Sequence, residues 1–310
     1  MQNIIRIELS LGIMFPSVNC YLVPGEQLTL VDCGFSTAEN WEIFQKKLAA
    51  HGYKIQDIEQ VLITHEHQDH IGLLPLIMEH SDAIIRVPKA IKAWFSTPQN
   101  RHAAQVAFLQ KFYKQVGFPE AIQVQANQLM TQMSVPPAIE DLSRFQFFTE
   151  GDSIQMGNAI WQVLNTPGHC PTQHVFLQKD QKQLFSGDML LPIAPMPIVS
   201  ENQTEAGKMN HALKDLLASF HRLKAYEVQA VYPGHGPIFR DANTVIEQQL
   251  ARIEMRKEEC LKWHNAGYKT VYEIHQKMYP YHQIPPNFSG IHMIFGYLDL
   301  LRTEGAIIGI

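Results

Sequence analysis

Residues 63–72 read ITHEHQDHIG, so three histidines and an aspartate, His65, His67, Asp69 and His70, fall within six consecutive positions. Such side chains fill a core poorly and are costly to bury unpaired. They follow directly on the short apolar run IEQVLIT, which reads as a buried strand, so they emerge at a strand's carboxyl end, where open α/β sheets place ligands. His65 and His67, spaced by two, leave the strand on one side, and both imidazoles can converge on one ion. Asp69 and His70 lie on the turn into the helix signalled by IGLLPLIMEH and can face a second ion nearby. The pattern therefore asks for a fold that brings further ligands to the end of this strand.

The rest of the chain alternates strand and helix signals. NIIRIELSL and CYLVPGEQLTLVDCG read as strands, the latter a pair joined by a Pro-Gly turn, with Asp32 and Gly34 at a strand end. STAENWEIFQKKLAAHG reads as a helix with Ser36 or Thr37 as cap, Trp41, Phe44 and Leu48 at helical spacing and Gly52 as stop. AIIRVPK is the next strand. Between about residues 91 and 143 the pattern predicts a helical insertion, with helices over HAAQVAFLQKFYKQVG and EAIQVQANQLMTQM, where Phe108, Phe112 and Tyr113 read as packing residues. Strand patterns return over RFQFFTEGDSIQMGNAIWQVLNTPGH and TQHVFLQKDQKQLFSGD. Pro192, Pro195 and Pro197 then forbid a regular helix or a central strand, so a loop is expected after Asp188. AGKMNHALKDLLASFHRLKA predicts a helix, VQAVYPGHGP a last strand ending at His235, and the tail from Asp241 onward further helices.

The 310 residues are long enough for a large core with an appendage, and the formal charge of −5 offers no broad basic face for nucleic acid. The N-terminus carries Arg6 and Glu8 among its apolar positions and does not read as a signal peptide, and no run approaches a membrane span. The four cysteines, Cys20, Cys33, Cys170 and Cys260, are scattered without a CxxC pair. They read as buried packing thiols in a reducing compartment, and a cytoplasmic location is the expectation.

Three more fragments resemble the first in kind: NTPGHCPTQH with His169, LFSGDML with Asp188, and VYPGHGP with His235, each where a strand stops and a loop begins. The ordered set VDCG, THEHQDH, TPGH, SGD and YPGHG resembles the metallo-β-lactamase superfamily in its glyoxalase II-like branch, from near the start to about residue 240. The resemblance implies an αβ/βα sandwich of two mixed sheets flanked by helices, as a catalytic domain over 1–240 with the insertion at 91–143. A small helical, winged-helix-like domain over 241–310 is implied to follow. It also implies a ligand set. His65, His67 and His169 would hold one divalent ion and Asp69, His70 and His235 a second, with Asp188 bridging and Asp32 supporting the ligands from behind. His174 is read as a structural or supporting residue.

Imidazoles with carboxylates suit zinc, the leading expectation, and also iron or manganese. Two such ions against Asp69, Asp188 and one hydroxide leave the centre at about +1. The chemistry implied is attack by metal-bound hydroxide on an ester-like bond, a thioester or lactone, of a small molecule, with Asp69 and Asp188 as catalytic residues. Three alternatives stay open, because ligands of this kind serve several chemistries. They are a metal-dependent ribonuclease, suggested by the tail with Lys257, Lys262 and Lys269, a mononuclear iron persulfide dioxygenase, and a non-catalytic metal-binding module. Nucleic acid is not the favoured partner and no membrane association is expected. The insertion and tail are candidate surfaces for a homodimer.

Overall fold

The computed structural model describes residues 3–11, 17–131, 135, 138–202, 208–280 and 288–308. Two six-stranded mixed sheets face each other. The first takes β1 (Ile5–Ser10), β2 (Ser17–Val23), β3 (Thr29–Val31), β4 (Gln60–Leu62), β5 (Ile84–Pro88) and β6 (Phe145–Phe148) in chain order. Its first three strands are antiparallel, and from β3 onward neighbours run parallel. The second sheet takes β7 (Ser153–Met156), β8 (Ala159–Asn165), β9 (His174–Gln178), β10 (Gln183–Gly187), β11 (Ala230–Pro233) and β12 (Phe239–Arg240). Only its β10 and β11 pair in parallel. The expected sandwich is present, with one correction. VQAVYPGHGP does not supply the last strand, because β12 follows His235 and pairs antiparallel with β11. A two-residue strand is too short to leave a periodic signal.

The inner faces of the sheets meet in a cluster of large side chains. Tyr21, Val23, Val31, Leu62 and Phe148 come from the first sheet, and Trp161, Val163, Phe176, Phe185 and Tyr232 from the second. Trp161 and Phe185 pack with ring centroids 4.8 Å apart, and Tyr21 meets Phe185 at 5.4 Å. Each such side chain contributes about 1.5–3 kcal/mol on leaving water, which makes this seam the main adhesive between the sheets.

Helices cover both outer faces. On the first sheet lie α1 (Ala38–Ala50), α2 (Gln68–Ile71) and α3 (Leu74–His80), which bury Phe44, Leu48, Ile71, Leu74 and Ile77 against it. Thr37 is the cap that starts α1, its hydroxyl oxygen accepting the Asn40 amide at 3.0 Å. The insertion contributes α4 (Lys92–Ser96), α5 (Pro98–Gln115) and α6 (Glu120–Thr131) between β5 and β6. α5 begins at Pro98, earlier than the pattern predicts, with proline in its first turn, and the end of the second predicted helix lies outside the described residues.

On the second sheet lie α7 (Ala212–Leu223), α8 (Ala242–Asn265), α9 (Val271–Met278) and α10 (Phe288–Thr303). They share one core with β8 to β11 and with the insertion, through Leu164, Leu184, Leu216, Ile246, Ile294 and Phe112. Beyond Arg240 the described residues contain no strand. Among the described residues, no helix is long and apolar enough to cross a membrane.

Candidate metal centre

The carboxyl ends of β3 and β4 in one sheet, and of β10 and β11 in the other, come together at one edge of the sandwich. Asp32 stands just past β3 with φ 54°, a left-handed conformation that aspartate tolerates better than most residues. Its Oδ1 accepts the Thr64 amide at 2.8 Å, and its Oδ2 accepts the Thr64 hydroxyl and the Nδ1–H of His70, each at 2.8 Å. The Thr64 hydroxyl proton is thereby committed, so its oxygen accepts from Nδ1–H of His65 at 3.0 Å. Nδ1–H of His169 donates to the Met196 carbonyl and that of His235 to the Ser17 carbonyl, both at 2.7 Å. Four imidazoles thus spend their Nδ1 protons on the protein and turn Nε2 inward, the arrangement that fixes ring and tautomer at metal sites.

His67 presents Nδ1 instead, 3.0 Å from Nε2 of His65 and 2.8 Å from Nε2 of His169. A tetrahedral ion with bonds of about 2.0–2.1 Å spaces its nitrogen ligands about 3.3 Å apart, so this trio needs only to open slightly to close on zinc. Donor atoms within 4.8 Å of one another form three groups: His65, His67 and His169; His65, His70 and Asp188; and Asp69, His70 and His235. Asp188 joins the outer two. Its Oδ2 lies 3.4 Å from Nε2 of His169 and 3.2 Å from Nε2 of His235, and its Oδ1 lies 3.4 Å from Nε2 of His70. Asp188 Oδ1 and His70 Nε2 are both buried without a hydrogen-bond partner. Two facing buried polar atoms left unpaired are the signature of a place meant for a cation, and the donor set fits a divalent ion.

The electrostatics divide the histidines. Burial lowers the pKa of His65, His67 and His169, the last to about 4, so these three present neutral lone pairs. Burial also works against charge on His70 and His235, yet the carboxylates beside them prevail. Asp188, Asp32 and Asp69 hold His70 well above its ordinary range, and Asp188 with Asp69 hold His235 up at about 10. Reciprocally, burial is outweighed at Asp69, held down to about 2 by His70 and His235, and at Asp188, held well below the carboxylate range by His235, His70 and His169. This half of the site therefore demands positive charge, from protons or from a metal ion.

The second sheet is keyed to the first around these residues. The Asn19 side chain on β2 donates to the carbonyls of Pro233 and Gly236 at 2.9 and 2.8 Å, and the Tyr21 hydroxyl donates to Pro233 at 2.8 Å. A Cβ at Gly234 would collide with Asp188 Oδ1 and stand 2.7 Å from His70 Cε1, so only glycine lets the His235 loop approach.

All seven residues expected as ligands converge here, and Asp32 stands behind them. His174 braces the site from its backbone, its amide donating to the Thr64 carbonyl at 3.0 Å while its ring donates to Thr172. Glu66, between the first two histidines, is buried, and the Thr172 hydroxyl donates to it, which ties the His65 loop to the His169 loop. Sequence reasoning passed over Asn19, Glu66 and the carbonyls of Ser17 and Met196. All four cysteines are free and buried, and burial pushes the Cys33 and Cys170 thiols well up.

Residues 14–246 match the sequence model of the metallo-beta-lactamase superfamily. The chain is 28% identical over 306 residues to a protein of Bacillus subtilis (strain 168) described as a probable metallo-hydrolase, YqjP, covering 99% of this chain and 94% of that one. It is 23% identical over 245 residues to an atrochrysone carboxyl ACP thioesterase of Aspergillus fumigatus, covering 78% of this chain and 58% of that protein. The fold is shared with the crystal structure of a metallo-beta-lactamase family protein from Thermus thermophilus, with a TM-score of 0.79, 23% identity and coverage of 98% and 95% of the two chains. With the ligand-bearing loops on the strand ends where the motifs lie, the chain belongs to the metallo-beta-lactamase superfamily and is a metal-dependent hydrolase.

Proposed function

We propose that this hydrolase cleaves an ester-like bond, a thioester or a lactone, in a small molecule, at a centre of two divalent cations, with zinc the first choice. The observation that carries the reading is the position of Asp188, whose two oxygens face His70 on one side and His169 and His235 on the other at 3.2–3.4 Å. A carboxylate between two nitrogen donor sets is suited to being shared by two cations. In this reading His65, His67 and His169 would hold one cation and Asp69, His70 and His235 the other. Bound there, the pair would supply a water made acidic enough to ionise near neutral pH and a Lewis acid for the carbonyl oxygen. Asp69 is 24% exposed against 3% for Asp188, so it is the carboxylate placed to orient an entering water and take up its proton. The buried cysteines are not needed as nucleophiles.

The substrate class is supported by the likeness to a thioesterase and by the state of two of the three lysines that would serve RNA. Lys257 is paired with Glu254 and Glu304 at 3.1 and 2.8 Å, and Lys269 is turned onto the His264 carbonyl. Within the superfamily we assign the chain to the glyoxalase II-like branch on the order of its motifs. Four free cysteines support a reducing, cytoplasmic setting. The test is metal content by elemental analysis, run beside a panel of thioesters, lactones and single-stranded RNA. About two zinc ions per chain, with ester-type turnover abolished in Asp188→Ala, is the expected result. RNA cleavage far above ester turnover, or a single iron without hydrolysis, would overturn it.

A further inference from the structure

The loop after Asp188 grips a ligand at two points: Met196 offers its carbonyl to Nδ1–H of His169 at 2.7 Å, and the Ile198 amide donates to the His169 carbonyl at 3.0 Å. The next amide along, that of Val199, donates to Nδ1 of His292 at 3.0 Å. His292 belongs to α10, far along the chain from His169, yet the two are joined through this short stretch of loop. Its ring is buried and lies flat on Phe112 of α5, centroids 5.1 Å apart and planes 10° apart. Because Nδ1 accepts, the ring is neutral with its proton on Nε2. The loop is therefore held between His169 and a fixed acceptor that the tail and the insertion jointly orient.

We propose that His292 is a positioning residue for the metal centre, acting through residues 196–199 to hold His169 in its ligand orientation. This rests on the two-cation reading above. Proline at 192, 195 and 197 removes amide donors from the loop. Its other anchors lie to either side of the His169 contact, Gln249 and Arg252 donating to the Leu191 and Ile193 carbonyls and Ser200 pairing with Asn210, so between 196 and 199 the Val199 bond is the one that reaches α10. Loss of the acceptor leaves a buried amide unpaired and frees the Met196 carbonyl to drift, and groups that orient a ligand from behind commonly govern metal affinity about 10–100-fold.

The experiment measures zinc affinity of the full chain by chelator competition, together with thermal unfolding of the metal-free protein. His292→Leu removes the acceptor, whereas His292→Asn keeps an oxygen acceptor on a short side chain. The zinc Kd is expected to rise about tenfold or more in His292→Leu and to return most of the way to wild type in His292→Asn. If His292→Leu does not fold, Val199→Pro deletes the donor from the other side of the same bond and is expected to weaken zinc to the same extent. Variants that lose thermal stability with unchanged zinc affinity would overturn the positioning role, leaving His292 as packing alone. A wild-type chain that takes up no zinc would overturn the two-cation reading and this inference with it.

Discussion

Asp32 Oδ2 stands 2.8 Å from Nδ1 of His70 and 2.8 Å from the hydroxyl of Thr64, so one buried oxygen sets the tautomer of His70 directly and that of His65 through Thr64. Two residues assigned under the proposed function to different cations are thus oriented by one carboxylate. Asp32→Asn tests this without disturbing the backbone, since asparagine also tolerates the left-handed conformation at φ 54°. Its single oxygen cannot accept from all three donors, and its NH2 must face one of them. Zinc affinity is expected to fall about 10–100-fold. The metal-free chain should lose about 1–3 kcal/mol of stability. Chelator competition and urea unfolding check the two effects, and full zinc affinity in the variant would count against the orienting role.

Gly234→Ala should act on one half of the centre. The added methyl meets Asp188 and His70, and the trio of His65, His67 and His169 is not among its nearest neighbours. Elemental analysis should therefore move from about two zinc ions per chain toward one, with turnover reduced about 100-fold or more. Retention of two ions would mean that the His235 loop can retreat at little cost.

Removing the metal should loosen the whole sandwich. Because the proposed ligands come from loops on both sheets, each cation at 100 times its Kd should add about 2.7 kcal/mol. A rise of several degrees in Tm is expected between chelator-treated and zinc-loaded protein. Calorimetry showing identical transitions would argue that no resident cation bridges the sheets.

His292 gives a pH dependence with a definite sign. Burial lowers its pKa to about 4 in the folded chain, from about 6.5 when exposed. Above pH 6.5 both states are neutral and the contribution is fully present. As pH falls from 6.5 toward 4 the unfolded chain takes up a proton that the folded chain refuses, and stability drops. Between pH 7 and 4.5 this amounts to roughly 2–3 kcal/mol. His292→Asn, which has no such proton, should lose that much less over the same range in urea unfolding. Equal losses in both proteins would show that the ring does not stay neutral.

Much of the site was legible because each ligand side chain is chemically distinctive and sits where a strand stops. His65, His169, Asp188 and His235 could be placed at strand ends from that, while their grouping as one ligand set came from the resemblance of the ordered motifs. A cap at Ser36 or Thr37 came from the same kind of local rule, and the structure selects Thr37. What the residues could not announce is their support. The carbonyls of Ser17 and Met196 orient two histidines, yet a peptide carbonyl is present at every position and leaves no trace in the residue type. Asn19 reads as an ordinary strand residue until the second sheet arrives beneath it. β12 was invisible for its length. α5 starts at Pro98, a proline whose fixed φ suits a first turn and which could have been used as a start signal.

The chain completes one sheet, β1 to β6, before it begins the other, and the seven proposed ligands divide with it, four before residue 149 and three after residue 152. A ribosome adding about 5–20 residues per second therefore releases half a cation site several seconds or more before the other half follows. Until then Tyr21, Val23, Val31, Leu62 and Phe148 have no cover, and a product truncated near residue 150 would present that bare sheet face to chaperones and proteases. On the two-cation reading, the complete set of donors exists only in chains whose two halves have already found each other.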